Sequence, residues 1–313
     1  MRIRFYPSRK RRRRIPARQK WALAGSVCLL LLCLGGLTRY AVNAMRSARI
    51  SRTFQELYAS SEAEAAQRSP ILRQFEVTFS KATGAGESAA PTAPPQVSSW
   101  PGNPGMAVSP ALQKLRQRNR DIIGWLSIPD QLAQAVVQRD NTYYLKRDYL
   151  GYHNANGALF LEESISLKTR PDTYIIFGHN MKTGDMFGSL RLYENIGYYR
   201  KHALIDFNAL YEEGQYVVFA IADVDTVQGM RRYVPFMQLP GMEEQARREC
   251  IQKLQAYSVI YSPVSVSAKD QLLLLVTCEG TEESRRVVAA RRLRDGETAA
   301  TLLSTLENAQ KRK

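Results

Sequence analysis

The chain has 313 residues, enough for one large core or two small ones, and its apolar fraction of 44% is ordinary for a globular protein. The net charge of +15 is unevenly placed: the first 20 residues carry 10 of the 44 basic side chains and no acid, and Arg39 adds one more. The remaining 33 basic residues face all 29 acids, a balance of about +4. A nucleic-acid-binding face would put the excess on a folded domain rather than a tail, so no nucleic-acid partner is expected.

An uncharged apolar run, Trp21 to Thr38, follows the basic tail directly. As a helix it nearly spans a bilayer core of about 30 Å, more fully if Tyr40 to Met45 extend it. The charge asymmetry puts 1–20 in the cytoplasm and everything after about residue 45 outside. A cleaved signal peptide is the alternative, with Ala41-Val-Asn-Ala44 as a passable cleavage site, but the length of the run favours a retained anchor at 21–44. Residues 45–83 read as a helical stalk. Residues 84–108, rich in Gly, Pro, Ala and Ser, read as a flexible linker. Ser109-Pro110 is an N-cap followed by proline at the first helical position, and begins a folded domain, 109–313.

Beyond Asp121-Ile-Ile-Gly-Trp125 the pattern changes to short strands: Trp125–Ile128, Ala135–Gln138, Ala158–Leu161, Thr173–Phe177, Tyr216–Asp223, Gln271–Thr277 and Arg286–Ala290. Met242–Tyr257 reads as a helix, and Glu297–Lys313 as a closing helix or a frayed end. Many short strands and few helices predict a mainly β fold, a closed barrel with peripheral helices, preceded by one transmembrane helix.

Four cysteines and three histidines leave little room for a structural zinc site, and no metal or other cofactor is expected. Cys28 and Cys33 lie in the apolar run and Cys250 in a helix. Cys278 ends the strand Gln271-Leu-Leu-Leu-Leu-Val-Thr277, whose apolar residues imply burial on both faces. His179 follows the strand Thr173-Tyr-Ile-Ile-Phe177 and Gly178. Taken alone, such a cysteine is more often an inert core residue and such a histidine a hydrogen-bonded structural one. A third strand, with Arg285 and Arg286 at its start, follows Cys278 after a short loop, which brings thiol and guanidinium into one neighbourhood. The competing reading of those arginines is a solvated edge strand.

The run Ile176-Phe-Gly-His-Asn-Met-Lys-Thr-Gly-Asp-Met-Phe-Gly-Ser-Leu190, with Val276-Thr-Cys278 and Arg285-Arg-Val-Val288, resembles the sortase family, specifically class B. Asp121-Ile-Ile-Gly-Trp125, Asp140-Asn-Thr-Tyr-Tyr-Leu145 and the helix before the Cys strand agree with it, so that the likeness covers about 107–294. Leu274 stands where the family often has threonine. The resemblance implies an eight-stranded barrel. It also implies a cysteine transpeptidase with Cys278 as nucleophile, His179 as acid/base and an arginine two residues before the Val-Val pair, Arg285, with Arg286 as alternate. Thr277 and Glu279 would line the substrate groove. His153 and His202 fall outside the family motif. The implied partners are surface proteins bearing a C-terminal sorting signal, and an amine of a peptidoglycan precursor or a pilin. The alternatives are a hydrolytic cell-wall cysteine peptidase and a non-catalytic membrane-tethered adhesion domain.

Overall fold

The computed structural model describes residues 17–82, 100, 102–278 and 283–312. The basic tail as far as residue 16, and residues 83–99, which include the first part of the linker expected at 84–108, lie outside the described residues. The chain divides into two units, Met1–Arg46 and Ser47–Lys313.

The first unit is helical from Ala17, the start of α1 (Ala17–Ala82). Val27, Leu29 to Leu32, Leu34 and Leu37 are all exposed on it. Among the described residues one helical stretch, Gly25–Glu64, is long and apolar enough to cross a membrane.

The second unit is built on a closed barrel of eight strands: β1 (Ile122–Ile128), β2 (Leu132–Val137), β3 (Leu159–Leu161), β4 (Thr173–Gly178), β5 (Leu204–Ala209), β6 (Gln215–Asp225), β8 (Leu272–Cys278) and β9 (Ser284–Arg292). The order around the wall is β1-β2-β3-β4-β8-β9-β6-β5, closed by the antiparallel β5–β1 pair. β2–β3 and β4–β8 are parallel and the other neighbours antiparallel. A short pair, β7 (Ile260–Tyr261) with β10 (Gln310–Lys311), lies apart from the barrel.

The strand missing from the sequence reading is β5. Its residues alternate half-buried and buried, Leu204, Ile205, Asp206, Phe207, Asn208, Ala209, the period-2 pattern of a strand with one face to the core. Closure removes the sheet edges, so the strands either side of the parallel crossover can be apolar on both faces. Leu272 to Val276 of β8 are each fully buried.

Helices cover the outside. α2 (Pro110–Arg118) starts as expected: the Ser109 hydroxyl accepts from the Leu112 N–H at 3.3 Å, and Leu112 and Leu115 are buried. α3 (Ile196–His202) is capped by Asn195, whose side chain accepts from the Gly197 and Tyr198 N–H groups. In α4 (Glu244–Ala256), Arg247 is buried and donates to four backbone carbonyls, those of Leu239, Asp172, Asp270 and Ala268, fixing the helix to the start of β4 and β8. The C-terminal segment is not one helix. α5 (Ala299–Leu306), opened by a Thr298/Thr301 capping box, buries Leu302 and Leu306 and then gives way to β10.

Two stretches placed outside the folded domain by composition pack on it. Trp100 is 1% exposed and meets Tyr211 edge-on at 5.3 Å, and Asn103 donates to the Tyr211 carbonyl. The Ser47–Glu64 part of α1 lies along β1 and β2. Tyr58 stacks on Trp125 at 4.5 Å and accepts from Asn208, and Gln55 donates to the Ala133 carbonyl. Phe54 and Tyr58 are buried, and a side chain of that size contributes about 2 kcal/mol on burial.

Candidate active site

Parallel pairing of β4 with β8 runs in register from Thr173↔Leu272 to Gly178↔Thr277. His179 and Cys278 are each the next residue, at the same end of neighbouring strands about 4.8 Å apart. β9 pairs antiparallel with β8, setting Arg285 opposite Cys278 and Arg286 opposite Thr277. Three contiguous strands therefore bring a histidine, a cysteine and two arginines to one rim of the barrel.

Strand alternation separates them by face. Tyr174 meets Phe207 of β5, which is not a neighbour of β4 in the wall, at 5.1 Å across the barrel. Tyr174, Ile176 and Gly178 thus face inward, and His179 outward. A Cβ on Gly178 would lie 2.6 Å from Leu159 Cδ2 and 2.7 Å from Phe187 Cδ2, so only glycine admits Phe187 at this end of the interior. Partners across paired strands share a face. By register, Thr277, Arg286 and Asp223 belong to the inner face, and Arg285 and Val224 to the outer.

Arg286 is 4% exposed and gripped by two carboxylates. Its Nε and Nη2 donate to Asp223 Oδ1 and Oδ2 at 2.8 and 3.0 Å, and Nη2 lies 2.6 Å from Glu194 Oε1. Arg285 is half-buried, and its Nη1 donates to the Ser284 carbonyl at 2.8 Å. Thr277, expected to line a groove, is 2% exposed on the inner face instead, because alternation turns it away from its neighbour. Glu279 lies outside the described residues.

His179 is half-buried with Nε2 2.7 Å from the Leu145 carbonyl oxygen. A carbonyl only accepts, so Nε2 carries the N–H. The His179 carbonyl accepts from the Met181 and Phe187 N–H groups, which turns the chain sharply after β4. Gly157, at φ +62°, lies beside the ring at the same edge. A Cβ there would lie 3.0 Å from His179 Cδ2 and 2.7 and 2.8 Å from the Tyr144 and Leu145 carbonyl oxygens. Neither contact carries a sequence signal, since one is a backbone atom and the other an absent side chain in a remote segment.

The other candidates lie elsewhere. Cys250 is buried in α4, and burial pushes its thiol up to about 12 against the opposing pull of Lys253 and Arg247. His202 is buried with Nδ1 3.0 Å from the Pro129 carbonyl, and desolvation lowers its pKa. His153 is exposed, in a bridge with Arg147. Among the described residues no group of three or more His, Cys, Asp or Glu side chains is arranged to hold a metal ion.

No protein-family model matches the chain. It is 28% identical over 190 residues to the sortase B of Staphylococcus aureus, spanning 59% of this chain and 75% of that protein. It is 29% identical over 170 residues to the sortase B of Listeria monocytogenes, spanning 54% and 67%. The solved Staphylococcus aureus sortase B–substrate complex superposes with a TM-score of 0.53 at 25% identity, covering 75% of this chain and 98% of that one. In sequence and in its closed barrel the chain is thus similar to sortases of class B.

Proposed function

We propose that this chain is a membrane-anchored cysteine transpeptidase that cleaves a C-terminal sorting signal and passes the acyl group to an amine. The observation that supports the proposal is the register of β4, β8 and β9, which brings the backbone positions of His179, Cys278 and Arg285 to one rim of the barrel. The Cys278 thiolate attacks the scissile carbonyl carbon, the C–N bond breaks, and His179 protonates the departing amine. The acyl group is then a thioester on Cys278. An incoming amine attacks it, the C–S bond breaks, and His179 takes the amine's proton. With Nε2 engaged by the Leu145 carbonyl, Nδ1 is the nitrogen that exchanges protons. Arg285, which cannot act as a base, holds the substrate backbone and the developing oxyanion. Arg286 is the weaker candidate because its guanidinium serves Asp223 and Glu194.

The substrate complex solved for the Staphylococcus aureus relative supports a substrate site in this fold. The sorting signals of surface proteins and an acceptor amine of a peptidoglycan precursor or pilin are the corresponding partners here. The apolar part of α1 is the single-pass anchor. The basic tail lies on the cytoplasmic side, and the domain at 109–313 outside the cell.

The test is incubation with sorting peptides followed by intact-protein mass measurement. The expected result is a covalent acyl adduct mapped to Cys278, discharged faster by an added amine than by water, and absent from Cys278→Ala. An adduct that survives in Cys278→Ala removes the assignment. Discharge insensitive to amine makes the enzyme a hydrolase.

A further inference from the structure

We propose that Ser47 and Asn154 are positioning residues for His179, coupling the first turns of the barrel-docked part of α1 to the imidazole. The inference rests on the catalytic role proposed for His179, but its geometry is independent of that role.

Asn154 is 2% exposed, and every polar group it has is engaged. Its backbone N–H donates to the Lys146 carbonyl at 2.9 Å, and its carbonyl accepts from the Gly157 N–H at 3.1 Å. The side-chain oxygen accepts from the Asn156 N–H at 3.0 Å. What remains is the side-chain amide, which donates to the Ser47 hydroxyl of α1. Asn154 thus sets the 154–157 turn from inside and fastens it from outside.

That turn holds two things against His179. Gly157 packs on the ring at Cδ2, and its left-handed backbone is fixed by the Asn154 carbonyl. The Tyr143–Lys146 turn, whose Leu145 carbonyl receives Nε2, is tied to the same segment by Asn154 N–H to Lys146 and by Ala158 N–H to Tyr144 at 3.0 Å. Both ring contacts therefore hang on one short segment, and Ser47 is its tie to α1. The α1 side is itself seated: Phe54 lies against Tyr149 at 6.1 Å and Tyr58 stacks on Trp125. Release of the Ser47 bond leaves the barrel core untouched and loosens the segment that fixes which nitrogen of His179 carries the proton.

Ser47 is half-buried, so Ser47→Ala folds where a change at Asn154 risks the turn itself. The experiment uses the full chain in detergent micelles with 15N-labelled histidine. Three imidazoles are read, and each is assigned by its own substitution. In Ser47→Ala the His179 Nε2–H resonance shifts or broadens, and those of His153 and His202 stay. On a sorting peptide, kcat falls three- to tenfold with KM within twofold and an unchanged melting temperature. Ser47→Thr, which keeps the hydroxyl, restores spectrum and kcat. An unmoved His179 resonance in Ser47→Ala overturns the proposal, as does a loss of kcat that tracks a fall in melting temperature or that threonine fails to rescue. If His179→Ala keeps wild-type turnover, the catalytic reading falls, and the resonance alone still decides whether Ser47 and Asn154 hold the ring.

Discussion

Arg285 and Arg286 follow one another on β9, and the strand turns them to opposite faces of the same wall. On the inner face a guanidinium is out of water, and the cost is offset only by close carboxylates: Asp223 from the neighbouring strand and Glu194 from the 3-10 turn that ends the barrel. On the outer face, in register with Cys278, Arg285 is half-buried and donates to the Ser284 carbonyl. A buried pair uses the arginine for the fold, whereas the rim position is the one proposed above for substrate contact. Sequence alone gives both the same type and the same neighbours; register tells them apart.

The largest effect expected is on the inner face. Arg286→Ala leaves a cavity beside Asp223 on the inner face, with Glu194 already half in solvent, and should cost about 3 kcal/mol in chemical denaturation. The activity that remains should scale with the folded fraction. If instead the protein stays as stable as wild type and stops cleaving peptide, the two arginines have exchanged roles.

A second ion pair tests the same logic further along the strand. Arg291 shares the face of Arg285 but is 1% exposed, covered by the segment from Val264 and held bidentately by Glu297 at 2.6 and 2.7 Å. Hydrogen bonding to Arg291, outweighing desolvation, holds the Glu297 carboxyl below the usual range. A carboxylate with a depressed folded pKa stabilises fully above its unfolded value, about pH 4.3, and loses that contribution as pH falls through the folded value. Glu297→Gln should therefore cost about 2 kcal/mol at pH 7, reduced from a fully buried pair because the carboxylate is partly exposed. The gap to wild type should close as the pH is lowered below about 4. A gap constant from pH 7 to pH 3 would mean the residue acts by packing rather than charge.

Arg285→Lys probes the rim itself. Lysine keeps the charge but not the fork, so kcat/KM should fall at least tenfold, about 1.4 kcal/mol of transition-state stabilisation, with the melting temperature unchanged. Normal turnover would remove Arg285 from the reaction.

The positions of His179 and Cys278 were legible because each closes an apolar run long enough to be a core strand, and the sortase resemblance joined them. β5 was not: Leu204–Ala209 is six residues with two polar ones between apolar neighbours, too short a period-2 signal to stand out beside α3. Trp100 was hidden by its surroundings, since Gly, Pro and Ser around it describe a linker whatever one aromatic does in three dimensions. Thr277 was misread for the opposite reason. Adjacency to Cys278 in sequence suggested a place in the groove, but strand alternation turns the Thr277 side chain into the barrel. The support of His179 from Leu145, Gly157 and Asn154 joins stretches far apart in sequence through backbone atoms, for which single-residue patterns carry nothing.

The smallest effect separates two cysteines. Cys250 lies 1% exposed in α4, where burial has pushed its thiol up to about 12. At pH 8 a thiol of that kind is thiolate in only about one molecule in ten thousand, and reagent cannot reach it without opening the helix. Cys278 stands at a rim position opposite Arg285, one residue beyond the register pair that ends β4. Iodoacetamide at pH 8, read by peptide mass spectrometry, should modify Cys278 and spare Cys250. Cys250→Ala removes one buried sulfur from a packed helix face, which costs about 1 kcal/mol and leaves kcat/KM within twofold. Labelling of Cys250 at a rate matching Cys278, or loss of turnover in Cys250→Ala with the helix content intact, would mean that α4 opens in solution, and that position at a strand end does not by itself distinguish the reactive thiol.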